Sequence, residues 1–421
     1  MNASARECCA REAKLSPRLP PRPPRPRGSQ RTALTLSYGV KILVVYDCLF
    51  PHTIGGAERW YRNLAERLAG EGHDVTYLTL RQWDRGVRPD VAGVRVRVAG
   101  PRLSLYANGR RKIAPPLVFG AGVLVHLLRH GRSYDVVHTA SFPYFSLLAA
   151  GLLRRPSRYR LVVDWHELWT REYWREYLGP VGGGVGWNVQ LRGLRLRQQA
   201  FCFARMTAAR LRAEGVRGPV VVLPGEYAGS LDTPQPRPAR PEVVFAGRHI
   251  PEKRVPALVD AFAVAHERAP ELRLAIYGDG PERDEVLARI ASHGLGEVAR
   301  APGFVSAAEV EDALEHALCL VLPSRREGYG LVVVEAAARG VPSVVVADPD
   351  NAAVELVDEG ENGFVAASAG AEDLAAAILR VRDAGPALRD RTAAWFARNA
   401  QRLSLRSSLD TVVAAYGDTR R

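Results

Sequence analysis

Twice along this chain a short, unbroken apolar run leads into a glycine-bearing loop and then a helical pattern, and this order limits the fold more than anything else. The first run is Lys41-Ile42-Leu43-Val44-Val45-Tyr46 and the second is Glu242-Val243-Val244-Phe245-Ala246-Gly247. Apolar runs of this length mark strands buried on both faces, as in a parallel sheet covered by helices. After the first run comes a loop with Gly55-Gly56, then a helical stretch from Ala57 to Leu68 with Trp60, Leu64 and Leu68 on one face. Further strands are expected at Val75–Thr79, Val94–Val98, Val136–Thr139, Leu161–Asp164 and Val220–Leu223. The second series continues at Leu272–Tyr277, Ala317–Leu322 and Ser343–Ala347. Alternation in two blocks predicts an α/β chain of two Rossmann-like, doubly wound parallel-sheet domains. In such sheets ligands bind beyond the carboxyl ends of the strands, so chemistry is sought in the strand-end loops.

The 421 residues, 47% of them hydrophobic, are enough for two cores. Residues 232–241 hold four prolines and read as the linker between a domain at 40–231 and one at 242–403. Residues 404–421 are expected to form a final helix, with a return to the first domain as one course open to it. Residues 1–39 read as a disordered tail in which Pro17, Pro20, Pro21, Pro23, Pro24 and Pro26 alternate with arginines. Such a tail suits either a polyproline docking segment or an over-long gene start. No run of ~18 uncharged apolar residues predicts a membrane-spanning helix. No apolar stretch follows the N-terminal basic residues as a secretory signal requires. The cysteines (Cys8, Cys9, Cys48, Cys202, Cys319) lack CxxC or metal-ligand spacing, which predicts a reducing cytoplasm and no zinc site.

Charge is divided unevenly. Lys and Arg outnumber Asp and Glu by 28 to 14 over residues 40–231, and trail them by 22 to 29 over 232–421. A basic first half attracts phosphates, anionic lipid or nucleic acid, although the arginine bias of a GC-rich bacterial genome is a plainer source.

Three strand-end segments of the second half carry the chemistry. Gly247-Arg248-His249-Ile250-Pro251-Glu252-Lys253-Arg254 puts two cations, Arg248 and Lys253, ahead of a helix with Pro256 in its first turn. Cations at a helix N-terminus suit a diphosphate. Gly278-Asp279-Gly280-Pro281 is a tight turn where glycine permits close backbone approach. Pro323-Ser324-Arg325-Arg326-Glu327-Gly328-Tyr329-Gly330-Leu331-Val332-Val333-Val334-Glu335 places Glu327 in a glycine-rich loop and Glu335 on the following helix. The free N–H groups from Gly330 and Leu331 onward can take phosphate oxygens. A loop carboxylate suits a sugar hydroxyl and a helix carboxylate suits a ribose diol.

The set from Gly247 to Glu335 resembles the family-4 retaining glycosyltransferases (glycosyl transferases group 1), which have the GT-B fold. The resemblance runs from about Lys41 to Leu403 and is closer in the second half. It implies that Arg248 and Lys253 bind the donor diphosphate with Gly330 and Leu331, that Glu327 contacts the transferred sugar, and that Glu335 holds the ribose. Phe304 and Val305, after Gly303, fall where the family holds the nucleobase, largely through backbone. Gly55 and Gly56 match the loop that approaches the donor phosphates from across the cleft. Asp164-Trp165-His166-Glu167 resembles the segment carrying an active-site histidine, which makes His166 the expected neighbour of the anomeric centre and His138 its rival. One segment departs from the pattern: the family's Asn-Gly pair is replaced by Pro224-Gly225-Glu226-Tyr227.

The expected reaction is therefore transfer of a hexose-type sugar from a nucleotide-diphosphate-sugar to a glycan or lipid-linked acceptor for an envelope polysaccharide or glycolipid. Retention by front-face attack is implied, with Glu327 and His166 as the catalytic pair. No cofactor and no metal are expected, since Arg248 and Lys253 do a metal's task; Asp348-Pro349-Asp350 is read as a turn. Arg110-Arg111-Lys112, the apolar stretch Leu117–Leu128, and Arg129, His130 and Arg132 suggest a helix on an anionic membrane surface. So does an expected helical region bearing Arg192, Arg195, Arg197, Arg205, Arg210 and Arg212 with Phe201 and Phe203. This places the protein in the cytoplasm at the inner face of the membrane. The cluster Trp165, Trp169, Tyr173, Trp174 and Tyr177 fits either stacking on an acceptor sugar or packing of a loop. A nicotinamide-dependent oxidoreductase is excluded, because no G-x-G-x-x-G follows the first strand. A non-catalytic nucleotide-sugar-binding homologue keeps the same donor residues. A nucleic-acid-binding protein lacks a motif and leaves the acidic half unexplained, so no nucleic-acid partner is expected.

Overall fold

Lys41–Val45 forms the strand β1, exposed only at Lys41 and buried over its other four residues as a strand covered on both faces must be. It lies inside a parallel seven-stranded sheet. The other strands are β2 (Asp74–Leu80), β3 (Arg95–Gly100), β4 (Val136–Ala140), β5 (Arg160–Trp165), β6 (Gln199–Cys202) and β7 (Val220–Val222), in the order β3-β2-β1-β4-β5-β6-β7. A second parallel sheet contains β8 (Glu242–Ala246), β9 (Arg273–Tyr277), β10 (Ala299–Gly303), β11 (Cys319–Leu322), β12 (Ser343–Val346) and β13 (Gly363–Ala366), in the order β10-β9-β8-β11-β12-β13. Both sheets reverse direction beside their first strand, and the crevice at such a switch point is where doubly wound folds take ligands. This computed structural model describes residues 39–417 apart from Ile54, Arg85, Asn108 and Gly109, and the side chains of 106–111 and Gly417. The Pro/Arg-rich segment up to residue 38, with Cys8 and Cys9, and the side chains of Arg110 and Arg111, lie outside the described residues.

The helices of the first half are α1 (Gly56–Gly70), α2 (Ala114–His130), α3 (Tyr144–Ser157), α4 (Arg171–Leu194) and α5 (Arg205–Ala213). Those of the second are α6 (Val255–Arg268), α7 (Arg283–Ser292), α8 (Ala307–His316), α9 (Leu331–Ala337), α10 (Ala371–Ala384) and α11 (Pro386–Leu403). Trp60, Leu64 and Leu68 of α1 are buried on the sheet face, as their spacing predicts. Residues 232–241 form neither helix nor strand and lead directly into β8. The last helix, α12 (Leu405–Gly417), lies on the first half: Arg67 pairs with Asp410 at 2.7 Å and Arg160 donates to the Ala415 carbonyl at 2.6 Å.

The expected helical region from residue 191 to 212 is not one helix. α4 ends at Leu194, Gln199–Cys202 forms the buried strand β6, and α5 begins at Arg205. Phe201 and Phe203 are interior. Gln198 makes the break: its amide donates to the Gly193 carbonyl at 2.9 Å while its oxygen accepts from Trp165 Nε1 at 2.9 Å. A four-residue strand buried on both faces has no periodicity that separates strand from helix. Arg210 is half-buried in a pair with Asp350 of the second half, and Arg205, though exposed, pairs with Glu355 of the same half.

Candidate active site

The carboxyl ends of the two sheets open on one cavity of about 630 Å³. The first half contributes Gly55 and Gly56 at the head of α1, and His166 and Glu167 just past β5. The second half contributes Arg248 after β8, Asp279-Gly280-Pro281 after β9, and Glu327 to Gly330 after β11. The turn after β9 requires glycine: Gly278 has φ 115°, and a Cβ there would stand 1.9 Å from the Gly247 carbonyl oxygen. The halves approach closely at Gly328, where a Cβ would lie 2.6 Å from the His166 carbonyl oxygen.

Lys253 ends a 3₁₀ turn (Pro251–Lys253) before α6, and its ammonium is bonded to Glu327 Oε1. The same oxygen accepts the Ser324 hydroxyl at 2.8 Å. Glu327 is thus held by two donors of its own domain, while Arg248 stands exposed at the cavity wall. Gly330, at φ 99°, caps α9. Leu331 and Glu335 line an adjoining cavity of about 230 Å³ with Arg59, Asn63 and Arg339. Burial pushes the Glu335 carboxyl up, against the opposing pull of Arg339 and Arg59.

His166 stacks on Phe203 at 4.7 Å with the rings 3° from parallel, and meets the edge of Tyr61 at 6.0 Å. Its Nε2 is buried with no hydrogen-bond partner among the described residues. Burial lowers its pKa more than Asp164 raises it, so the imidazole is neutral. The rival, His138, is wholly buried below the cavity. Its Nδ1 is bonded to the Tyr416 hydroxyl and its Nε2 lies 2.8 Å from Asp164 Oδ1. Asp164 also accepts from Trp60 Nε1 at 2.7 Å. Burial alone pushes the Asp164 carboxyl up, but His138, His166 and the Trp60 N–H bring it below its usual value. His138 is therefore part of the floor beneath His166 and does not face the cleft.

The structure brings His166, Glu327, Arg248, Gly55, Gly56 and Gly330 to one cavity, with Lys253 attached through Glu327 and with Leu331 and Glu335 next door. It does not bring Phe304 and Val305 to either cavity; Phe304 projects outward at 77% exposure. Asp348 and Asp350, in the turn after β12, are each paired with an arginine, Arg254 at 3.0 Å and Arg210. The aromatic cluster is packed. Trp165, Tyr173 and Trp174 are buried, and the Arg326 guanidinium lies 3.8 Å over Tyr173 and 5.2 Å from the Trp169 ring. Glu226 and Tyr329 are among the lining residues to which the sequence assigns no role. The departure at Gly225-Glu226 was the visible signal for the first; a tyrosine between two glycines was the signal for the second.

The chain matches the model of the family described as Glycosyltransferase Family 4 over residues 54–225, and that described as Glycosyl transferases group 1 over residues 233–399. It is 28% identical over 367 residues to a glycogen synthase of Mycobacterium tuberculosis, a match covering 82% of this chain and 86% of that protein. It is 32% identical over 154 residues to the alpha-D-kanosaminyltransferase of Streptomyces kanamyceticus, covering 37% of this chain and only 39% of that one. Among solved structures it resembles sucrose-phosphate synthase from Thermosynechococcus elongatus, with TM-score 0.73 and 21% identity over 90% of this chain and 98% of the other. It also resembles Anabaena HepE in complex with UDP-glucose, with TM-score 0.65 and 17% identity over 90% and 99%.

Proposed function

Because the chain belongs to the family-4, group 1 glycosyltransferases and has their GT-B fold, we propose that it binds a nucleotide-diphosphate-sugar in the cleft between its sheets and transfers the hexose-type sugar with retention. One observation carries this reading. A single cavity gathers Arg248 and the Lys253-bound Glu327 from one half, and Gly55, Gly56 and the neutral His166 from the other. Arg248, Lys253 and the N–H groups at Gly330 and Leu331 stabilise the charge that develops on the departing diphosphate. Glu327, fixed by Lys253 and Ser324, holds sugar hydroxyls, and Glu335 takes the ribose in the adjoining cavity. His166 serves as a neutral hydrogen-bonding group beside the anomeric carbon. These cations supply the stabilisation that other transferases draw from a metal, so turnover proceeds without one.

The test is release of nucleoside diphosphate from a panel of UDP-, GDP-, ADP- and dTDP-sugars, with and without chelator, beside a Lys253→Ala/Glu327→Ala variant. Chelator-resistant release from one donor, lost in the variant, supports the proposal. Donor binding without release in the presence of glycan and lipid-linked acceptors identifies a non-catalytic binder instead.

The acceptor reading rests on α2. From residue 91 to 134 the sequence contains no Asp or Glu. Along α2 and its N-cap, Ile113, Leu117, Val125 and Leu128 are exposed, with Lys112, Arg129 and Arg132 close by in sequence. An outward apolar stripe among cations suits the cytoplasmic face of an anionic membrane, where lipid-linked acceptors for envelope glycans are found. No helix among the described residues is long and apolar enough to cross a membrane.

A further inference from the structure

We infer that Glu226 is a donor-binding residue of this chain that acts through its proton: as the neutral acid it donates to a diphosphate oxygen, and as the carboxylate it repels the donor. This rests on the reading of the cleft as a nucleotide-sugar site.

Glu226 lies just past β7, where the chain departs from its family's Asn-Gly pair. The loop is clamped. Gly225 N donates to Ser408 Oγ at 3.0 Å, Tyr227 N donates to the Leu403 carbonyl at 3.1 Å, and the Tyr329 hydroxyl donates to the Pro224 carbonyl at 2.7 Å. These bonds fix the backbone on both sides of Glu226. Gly56 and Glu226 line both cavities, so Glu226 stands where the Arg248 and Glu327 side passes into the Glu335 side. A donor lying across both cavities brings its diphosphate to this junction. No side chain among the described residues gives Glu226 a hydrogen bond or an ion pair that would hold it charged.

The charges around it are mixed. Asp164 lies toward it from the end of β5, and α1 presents Glu58 and Arg59. From the second half, α8 and α9 bring Glu311, Glu335 and Arg339. The loops after β8, β9 and β11 bring Arg248, Asp279 and the Glu327–Lys253 pair, and His166 shares the cavity as a neutral ring. Burial, with the Asp164 charge adding to it, pushes the Glu226 carboxyl up to about 7. Below that value it is an O–H donor, and hydrogen bonds from a neutral acid to a phosphate oxygen are charge-assisted. Above it, a third negative charge joins the two of the diphosphate.

The expected sign follows. A nucleotide-sugar diphosphate is a diester with constant charge between about pH 5.5 and 8.5, so any proton lost over that range belongs to the protein. Affinity should fall as pH rises through the Glu226 pKa, by up to roughly tenfold per unit. The experiment measures dissociation constants of UDP-glucose, GDP-mannose, ADP-glucose and dTDP-glucose across this range for the wild type, Glu226→Gln and Glu226→Ala. For the donor that binds, the wild type should show the alkaline loss. Glu226→Gln, a neutral donor at every pH, should be flat. Glu226→Ala should be flat and about fivefold weaker than Glu226→Gln at low pH, as expected for one lost hydrogen bond. A wild-type profile without slope, a slope retained in Glu226→Gln, or equal affinities of the two variants overturns the proposal while leaving the donor site intact. Absence of binding by all four nucleotide-sugars overturns the donor site itself.

Discussion

Lys253 and Ser324 converge on one oxygen of Glu327, so that a residue ahead of α6 and a residue after β11 hold the same carboxylate. Glu327 is oriented before any sugar arrives. Replacing it by Gln keeps the shape and loses the charge; kcat/KM is expected to fall by roughly 10²–10³, the scale for losing one preorganised electrostatic partner. Lys253→Ala frees Glu327 and also removes a diphosphate cation, with a loss of similar size. Because the two act as a unit, the double variant should be little worse than the poorer single one. Steady-state kinetics of the three variants checks this, and fully additive losses would show that the pair is not a unit.

His166 is held neutral by burial, with its folded pKa lowered. Its protonation therefore sets in only below the usual imidazole value, and kcat should stay level as pH falls through about 6.5. His166→Ala should lower kcat by roughly 10²-fold. An acid limb centred above the usual imidazole value and abolished by His166→Asn would contradict the neutral assignment.

Adjacent arginines give a contrast in stability. Arg325 makes two bonds to Glu176, at 2.8 and 2.9 Å, with both side chains well exposed, and Arg325→Ala should cost below about 1 kcal/mol. Arg326 is 7% exposed and lies 3.2 Å from Glu167, over the rings of Tyr173 and Trp169. Its loss leaves Glu167 without its cation and a hole under two aromatic rings. Arg326→Ala should cost roughly 2 kcal/mol, between the exposed and fully buried cases because Glu167 keeps some solvent. Denaturant midpoints of the two variants, measured side by side, decide the order.

The stripe on α2 predicts vesicle binding. Leu117→Glu with Leu128→Glu should abolish cosedimentation with phosphatidylglycerol vesicles while leaving donor binding unchanged, since neither residue lines a cavity. Equal sedimentation of variant and wild type would remove the membrane from the acceptor reading.

Much of this was legible in the chain because burial on both faces leaves an unmistakable run: β1 and β8 are continuous apolar segments, and the loops after them carry the glycines and cations that the cleft uses. β6 was not, since Gln199–Cys202 is too short to show a period and is flanked by arginines that suggest a surface helix. Arg326 reads as a solvated charge in sequence, and only contact with the other half buries it. The choice of His166 over His138 came from the resemblance of the Asp164-Trp165-His166-Glu167 segment alone. His166 lies just past β5 and His138 inside β4, where Tyr416, 278 residues away, ties it down.

The bond from Tyr416 to His138 also bears on the order in which the molecule can be completed. Residues of α12, made after both sheets, finish the interior of the half that leaves the ribosome first, and Asp164, beneath His166, is braced through that contact. The early half must therefore wait, with an open seam, until α12 has been made. A stop after Leu403, which removes only Leu405 from the lining of the two cavities, should yield a protein that aggregates as it is made.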